Sequence, residues 1–253
     1  MNKIRIRFIR GEQLKFISHL DMLKLFDRAV RRAGIPITYS EGFNPHARMQ
    51  FALPLPVGVT SDWEYADFET KEGYSAENLK NMLNRCLPEG IAVIEASNTQ
   101  SGKSLMSLIA AAAYIICIES QTMLKNDEAE GIINSVMESS DIFTCKKTKH
   151  GVKQINIRPM IYKLWFNSNE TLIYYNDSPN AKYIYKFGAV VSSGSEHNLN
   201  PMLLAGVLIQ YLGRDSVVYN IHRTGLYVDK NGEKTPMDAL NKEKHDFSKH
   251  ASV

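Results

Sequence analysis

An α+β fold of two tandem ferredoxin-like domains, each a split βαβ unit, is what this chain predicts. Three observations point to it. Residues 3–96 read in the order β-α-β-β-(β)-α-β. A polar stretch, residues 97–104, then interrupts the pattern, which restarts and runs to about residue 222. Helix ends are punctuated by capping residues: Ser18 and Gly34, Ser75, then Asn200-Pro201 and Gly213. A chain of 253 residues is long enough for one large domain or two small ones.

Each element follows from local pattern. Ile4, Ile6 and Phe8 alternate with Lys3, Arg5 and Arg7, the period of a strand with one apolar face. Ser18-His19-Leu20-Asp21 fits a loose capping box, and Gly34 followed by Pro36 stops the helix. Between them Leu20, Leu23, Phe26, Val30 and Ala33 form the apolar stripe. Lys24, Arg28, Arg31 and Arg32 fall on or near the other face. Residues 35–39 read as a strand, 39–46 as a turn-rich loop and 48–53 as a short strand. Trp63, Tyr65 and Asp67 alternate with Glu64, Ala66 and Phe68 over strand 62–70. Ser75 caps a helix to about residue 86, and Pro88-Glu89-Gly90 turns it into strand 91–96.

After the hinge-like stretch, strand 111–119 and helix 127–139 are followed by strands 142–147, 153–166, 171–175 and 183–191. A helix from Asn200-Pro201 to Gly213 and strand 217–222 complete the set. The domains are therefore expected at residues 1–98 and 105–228, the second decorated with extra strands. Residues 229–253, rich in Lys, Asp and His, are expected to be a mobile tail.

Composition narrows the function. An apolar fraction of 44% and a charged fraction of 23% are ordinary for a soluble globular protein. No apolar run is long enough to span a membrane, and the N-terminus lacks a signal-peptide core, so a cytoplasmic protein is expected. Cys86, Cys117 and Cys145 have no metal-ligand spacing and read as reduced thiols. The net charge of +3 is mild. Its distribution is uneven: up to Gly58, Lys3, Arg5, Arg7, Arg10, Lys15, Lys24, Arg28, Arg31, Arg32 and Arg48 face only Glu12, Asp21, Asp27 and Glu41. A smaller basic cluster holds Lys146, Lys147, Lys149, His150 and Lys153. Such patches suit RNA, a nucleotide or another anionic ligand.

Four motifs met in order carry a resemblance. They are Ser18-His19-Leu20-Asp21, then Arg28-Ala29-Val30-Arg31-Arg32-Ala33-Gly34, then Tyr39-Ser40-Glu41-Gly42-Phe43-Asn44-Pro45-His46, then Leu53-Pro54-Leu55-Pro56-Val57-Gly58. Together they resemble the bacterial "radical SAM-linked" proteins, a domain of unknown function that stands alone or follows a radical S-adenosylmethionine module. The likeness covers the chain to about Gly225 and includes Asn156-Ile157-Arg158-Pro159. The family usually has a second Pro after the His of Asn-Pro-His, where this chain has Ala47. The resemblance implies a separate radical SAM enzyme as partner, because this chain has no Cys-x3-Cys-x2-Cys motif of its own.

The candidate residues each have a bland reading and a functional one. Ser18 and Asp21 fit helix caps. His19, in the first helical turn, is expected neutral, because a helix N-terminus disfavours an imidazolium. Lys24, Arg28, Arg31 and Arg32 form either a solvated face or a phosphate-binding one. In the loop, Gly42 permits positive φ, Asn44 favours a turn and Pro45 fixes the approach to His46. Either the loop packs on Phe43, or it is a rigid platform presenting Tyr39, Asn44 and His46, with Arg48 just beyond. Arg158 reads as an exposed contact or a cross-domain salt bridge. The leading reading is an RNA- or nucleotide-binding accessory protein without a cofactor. The alternatives are a metal-independent RNA-processing enzyme, with His46 and His19 as an acid–base pair, and a protein-binding adaptor.

Overall fold

The computed structural model describes residues 2–99, 102–121, 123–148, 151–167, 172–174, 182–194, 197–213 and 215–237. It is a mixed α+β structure with more sheet than helix. The chain divides into two compact units, Met1–Ile109 and Ala110–Val253.

The first unit contains β1 (Asn2–Arg10), α1 (His19–Arg32), β2 (Met49–Phe51), β3 (Val59–Thr70), α2 (Ala76–Cys86), β4 (Ile91–Asn98) and one helical turn, α3 (Leu105–Leu108). Its sheet order is β4-β1-β3-β2, with all pairs antiparallel. Period two sends Ile4, Ile6 and Phe8 to the helix-covered face. There they pack with Phe26 and Val30 of α1 and Leu79 and Leu83 of α2. Phe26 meets Phe8 and Phe51 edge-on at 5.1 and 5.2 Å between ring centroids. Residues 35–39 do not form the expected strand; Ile37 and Tyr39 make single bridges to Thr70 and Ala47.

The opposite face of β1 is charged but not free. Arg5 lies directly across from Asp67 on β3, and its guanidinium grips both carboxylate oxygens at 2.7 and 2.9 Å. The pair is almost fully buried, at 6% and 2% exposure. Arg7 pairs with Glu95 at 3.0 Å and lies over the Trp63 ring.

The second unit contains β5 (Ile109–Ser120), α4 (Asn126–Glu138), β6 (Phe143–Thr148), β7 (Gly151–Asn156), β8 (Ile161–Phe166), β9 (Leu172–Tyr174), β10 (Lys182–Ser192), α5 (Pro201–Leu212), β11 (Val217–Lys230) and β12 (Glu233–Pro236). Its main sheet has the order β11-β5-β10-β8; β9 pairs with β10 and β12 with β11. Among the described residues β6 and β7 pair with each other alone, as a separate ribbon. The expected strand 153–166 is broken in two by a 3-10 turn, Arg158–Met160. Pro159 cannot donate to a ladder there. Residues 229–236, read from the sequence as mobile tail, are instead the end of β11 and β12. Asn231 (φ +55°) and Gly232 (φ +89°) supply the left-handed pair that a tight hairpin turn requires. The rest of the expected tail, residues 238–253, lies outside the described residues.

Two stability outcomes follow from this packing. Asp67→Ala strands a buried guanidinium and is expected to lower urea-unfolding stability by about 3 kcal/mol, whereas the double change Arg5→Met, Asp67→Leu costs far less. At Gly188 on β10, opposite Trp165, a Cβ would sit 2.0 Å from the indole. Gly188→Ala is therefore expected to cost roughly 1–3 kcal/mol, read as a drop in melting temperature.

Candidate functional site

The site begins where β1 ends. Arg10 points to the same face as Ile4, Ile6 and Phe8, at the edge of the core, and is 3% exposed. It donates to the carbonyls of Leu14, Lys15 and Ile17 at 3.0, 3.0 and 2.6 Å. The Lys15 carbonyl also accepts the Gly58 N–H at 2.7 Å, which ties the Leu-Pro-Leu-Pro-Val-Gly turn to the same segment. Ser18 then caps α1: its Oγ accepts the Asp21 N–H, and its hydroxyl donates to the Asp21 carboxylate at 2.7 Å.

His19 occupies the first turn, half-buried, with its ring edge-on to Phe51 at 6.0 Å between centroids. It lines a small cleft with Arg10, Glu64, Met22 and Leu55. Burial pulls its pKa below 6.5; buried Glu64 opposes that shift and Arg10 reinforces it. Arg10 and Glu64 were not singled out in the sequence as site residues. For Arg10 the available signal is its place two residues beyond Phe8 on an alternating strand; Glu64, opposite Phe8, depends on the pairing of β1 with β3.

The outer face of α1 is cationic and partly engaged. Lys24 is 3.9 Å from Asp21, and Arg31 pairs with Asp27 at 3.1 Å. Arg32 donates to the Cys86 carbonyl at 2.6 Å, so it serves to hold the end of α2. Arg28 is exposed and has no ion pair or hydrogen bond among the described residues. Arg31 also lies 5.9 Å from the centroid of the Tyr39 ring, which brings the loop beside the last turn of the helix.

That loop is a short hairpin. The Ser40 N–H donates to the His46 carbonyl at 2.8 Å, the His46 N–H to Ser40 Oγ at 2.9 Å, and the Arg48 N–H to the Thr38 carbonyl at 2.8 Å. Gly42 takes φ +120° at the tip. Of the two readings of the loop, packing on Phe43 is not what the structure shows: Phe43 is fully exposed (106%), and Asn44, Pro45 and His46 are exposed beside it. Among the described residues the tip is held by the hydrogen bonds of its own base. Arg48 is spent locally on Glu69 at 3.3 Å.

His19 packs on Phe51 while His46 sits on the exposed loop, and among the described residues no hydrogen bond, ion pair or ring contact joins them. One sequence expectation fails in the geometry. Arg158 is neither an exposed contact nor a cross-domain bridge. Its guanidinium donates to the Met137 carbonyl at 2.6 and 3.2 Å and to the Ile161 carbonyl at 3.0 Å, all within the second unit. Among the described residues no group of three or more His, Cys, Asp and Glu side chains is placed to hold a metal ion. No helix among them is long and apolar enough to cross a membrane.

An α+β chain carrying this cationic helix and loop falls within a recognised bacterial class. Residues 3–201 match the family described as "uncharacterized protein conserved in bacteria (DUF2344)", and the chain belongs to that family. Among curated protein sequences nothing matches it. Among solved structures it is similar to a chain of a Cbf5-Nop10-Gar1 complex (10% identity, TM-score 0.45, covering 89% of this chain and 48% of that one). It is also similar to a chain of the archaeal box H/ACA sRNP Nop10-Cbf5 complex (9%, 0.42, 88% and 46%). A more distant similarity is to DyPB from Rhodococcus jostii RHA1 (9%, 0.22, 87% and 90%). The chain spans about half the length of the Cbf5-complex chains it matches.

The His19 environment sets a pH dependence. Well above pH 6.5 the ring is neutral whether the chain is folded or not. As pH falls through 6.5 the unfolded chain takes up a proton that the folded one resists, so stability declines until the folded pKa is reached. His19→Gln is expected to flatten that part of the stability–pH curve, measured by urea unfolding between pH 7 and pH 5 (about the range over which a His titrates).

Proposed function

We propose that this protein is an RNA- or nucleotide-binding accessory module, and that its recognition surface is the outer face of α1 together with loop 40–46. The observation that carries the reading is the placement of Arg31 against the Tyr39 ring, beside a fully exposed Phe43. Cations on a helix face hold phosphates, and an exposed aromatic side chain offers a stacking surface to a base. Arg28 adds an exposed guanidinium on the same helix. Asn44 and His46 supply hydrogen-bonding groups at the loop tip. A neutral, half-buried His19 belongs to the support of this surface.

Strand orders of β4-β1-β3-β2 and β11-β5-β10-β8 support reading the two units as tandem ferredoxin-like domains, the second decorated by the β6–β7 ribbon and by β9 and β12. On the resemblance described above, the module would act in the cytoplasm and present its ligand to a separate radical SAM enzyme.

The test is fluorescence anisotropy with labelled polyuridylate over a salt series. Phe43→Ala is expected to weaken binding roughly tenfold, the scale of one lost stacking contact. Arg28→Glu is expected to weaken it and to reduce the dependence of log affinity on log salt by about one unit. Both side chains are exposed, so circular dichroism should stay at wild type. Absence of salt-dependent binding, or wild-type behaviour of both variants, would refute the reading.

A further inference from the structure

The second unit carries a basic element that the surface on α1 does not use. The β6–β7 ribbon stands apart from the main sheet, and most of its side chains are exposed on both faces. A two-stranded ribbon alone is marginal in water. This one also places Lys146 directly opposite Lys153, a like-charge cross-strand pair that destabilises it further. Lys147 lies opposite Val152 on the other face. Among the described residues none of the three lysines has an ion-pair partner.

The root of the ribbon is held firmly by contrast. The Ile157 N–H donates to the Ile142 carbonyl at 2.8 Å, and the Ile142 N–H donates to Asn156 Oδ1 at 3.0 Å. The Asn156 amide donates to Asp141 at 2.6 Å. Arg158 bolts the same turn to the carbonyl of Met137, in the last turn of α4. The Asn-Ile-Arg-Pro motif is thus a clamp at the base of a charged, largely exposed arm whose β6 strand touches α5.

We propose that the β6–β7 ribbon is a second RNA contact, an arm whose lysines lie along the phosphodiester backbone, with Asn156 and Arg158 as positioning residues. A polyanion neutralises the repulsion that Lys146 and Lys153 impose on the free chain, and release of its counterions drives binding. Lysines on both faces favour backbone contacts over base readout, and the exposed aromatic of the ribbon, Phe143, lies at its root opposite Asn156, away from the lysines. The ligand class is the one proposed for α1, but the residues belong to the other unit, so the two assignments stand or fall separately.

The test uses the full chain and labelled polyuridylate over a salt series. Replacing Lys146, Lys147 and Lys153 by Gln is expected to reduce the slope of log affinity against log salt by about two, at roughly 0.7 per phosphate contact on a single strand. Lys153→Glu is diagnostic, because it turns a repelling cross-strand pair into an attracting one: melting temperature rises while RNA affinity falls. A rise in melting temperature with affinity unchanged would overturn the arm. An unchanged slope in the triple variant, with Arg28→Glu still weakened, overturns the arm and leaves the α1 reading intact. The reverse pattern supports the arm and removes the α1 reading. Loss of binding confined to phosphatidylserine vesicles, with no RNA binding by the wild type, also overturns it.

Discussion

Everything proposed for the first unit depends on where α1 begins, and that is fixed by one buried guanidinium. Arg10 ends β1 on its core-facing side and donates to three backbone carbonyls of the segment between strand and helix. Burying a guanidinium is costly unless its donors are satisfied. Here carbonyls that have no ladder partner receive charge-assisted hydrogen bonds. Gly58 donates to one of the same carbonyls, which brings the Pro-rich turn into the arrangement. The Ser18 cap follows at once, so the rotation of α1 about its axis is set before any core residue is counted. Phe26 and Val30 then face the sheet, and Lys24, Arg28 and Arg31 face away from it.

The same economy of charge explains why the basic N-terminal quarter is not a broad basic surface. Arg5 belongs to Asp67, Arg7 to Glu95 and the Trp63 ring, Arg10 to backbone, Arg32 to the Cys86 carbonyl and Arg48 to Glu69. These cations hold strands and turns in register. The cations left toward solvent are concentrated on α1, next to a hairpin tip whose aromatic side chain has nothing to pack on. A single exposed Phe is ordinary on a protein surface; what sets Phe43 apart is its place on the hairpin beside the cations of α1. The second unit repeats the theme, with its clamp spent on architecture and its lysines left open.

Much of the scaffold was legible in the sequence, for local reasons. Ser18, Ser75 and Asn200-Pro201 mark helix starts because caps satisfy orphan N–H groups within three residues. Alternation in β1 and β3 was equally local. What could not be read depends on partners distant along the chain. The Arg5–Asp67 pair needs the register of two strands about sixty residues apart. Arg158 bonds to carbonyls, which leave no trace in residue identity. The exposure of Phe43 follows from how a hairpin leaves the sheet, and residue type alone left both packing and presentation open. The Asn231-Gly232 turn is a local signal, but the polar composition around it reads equally as tail.

The central claim is that α1 and loop 40–46 form one surface that meets nucleic acid. Ultraviolet cross-linking of the full chain to polyuridylate, with the adducts located by mass spectrometry, tests it most directly. The account predicts adducts on Tyr39 and Phe43, displaced by unlabelled polyuridylate and lost at high salt. Adducts confined to other parts of the chain, or none above the level seen with a neutral polymer, would contradict it.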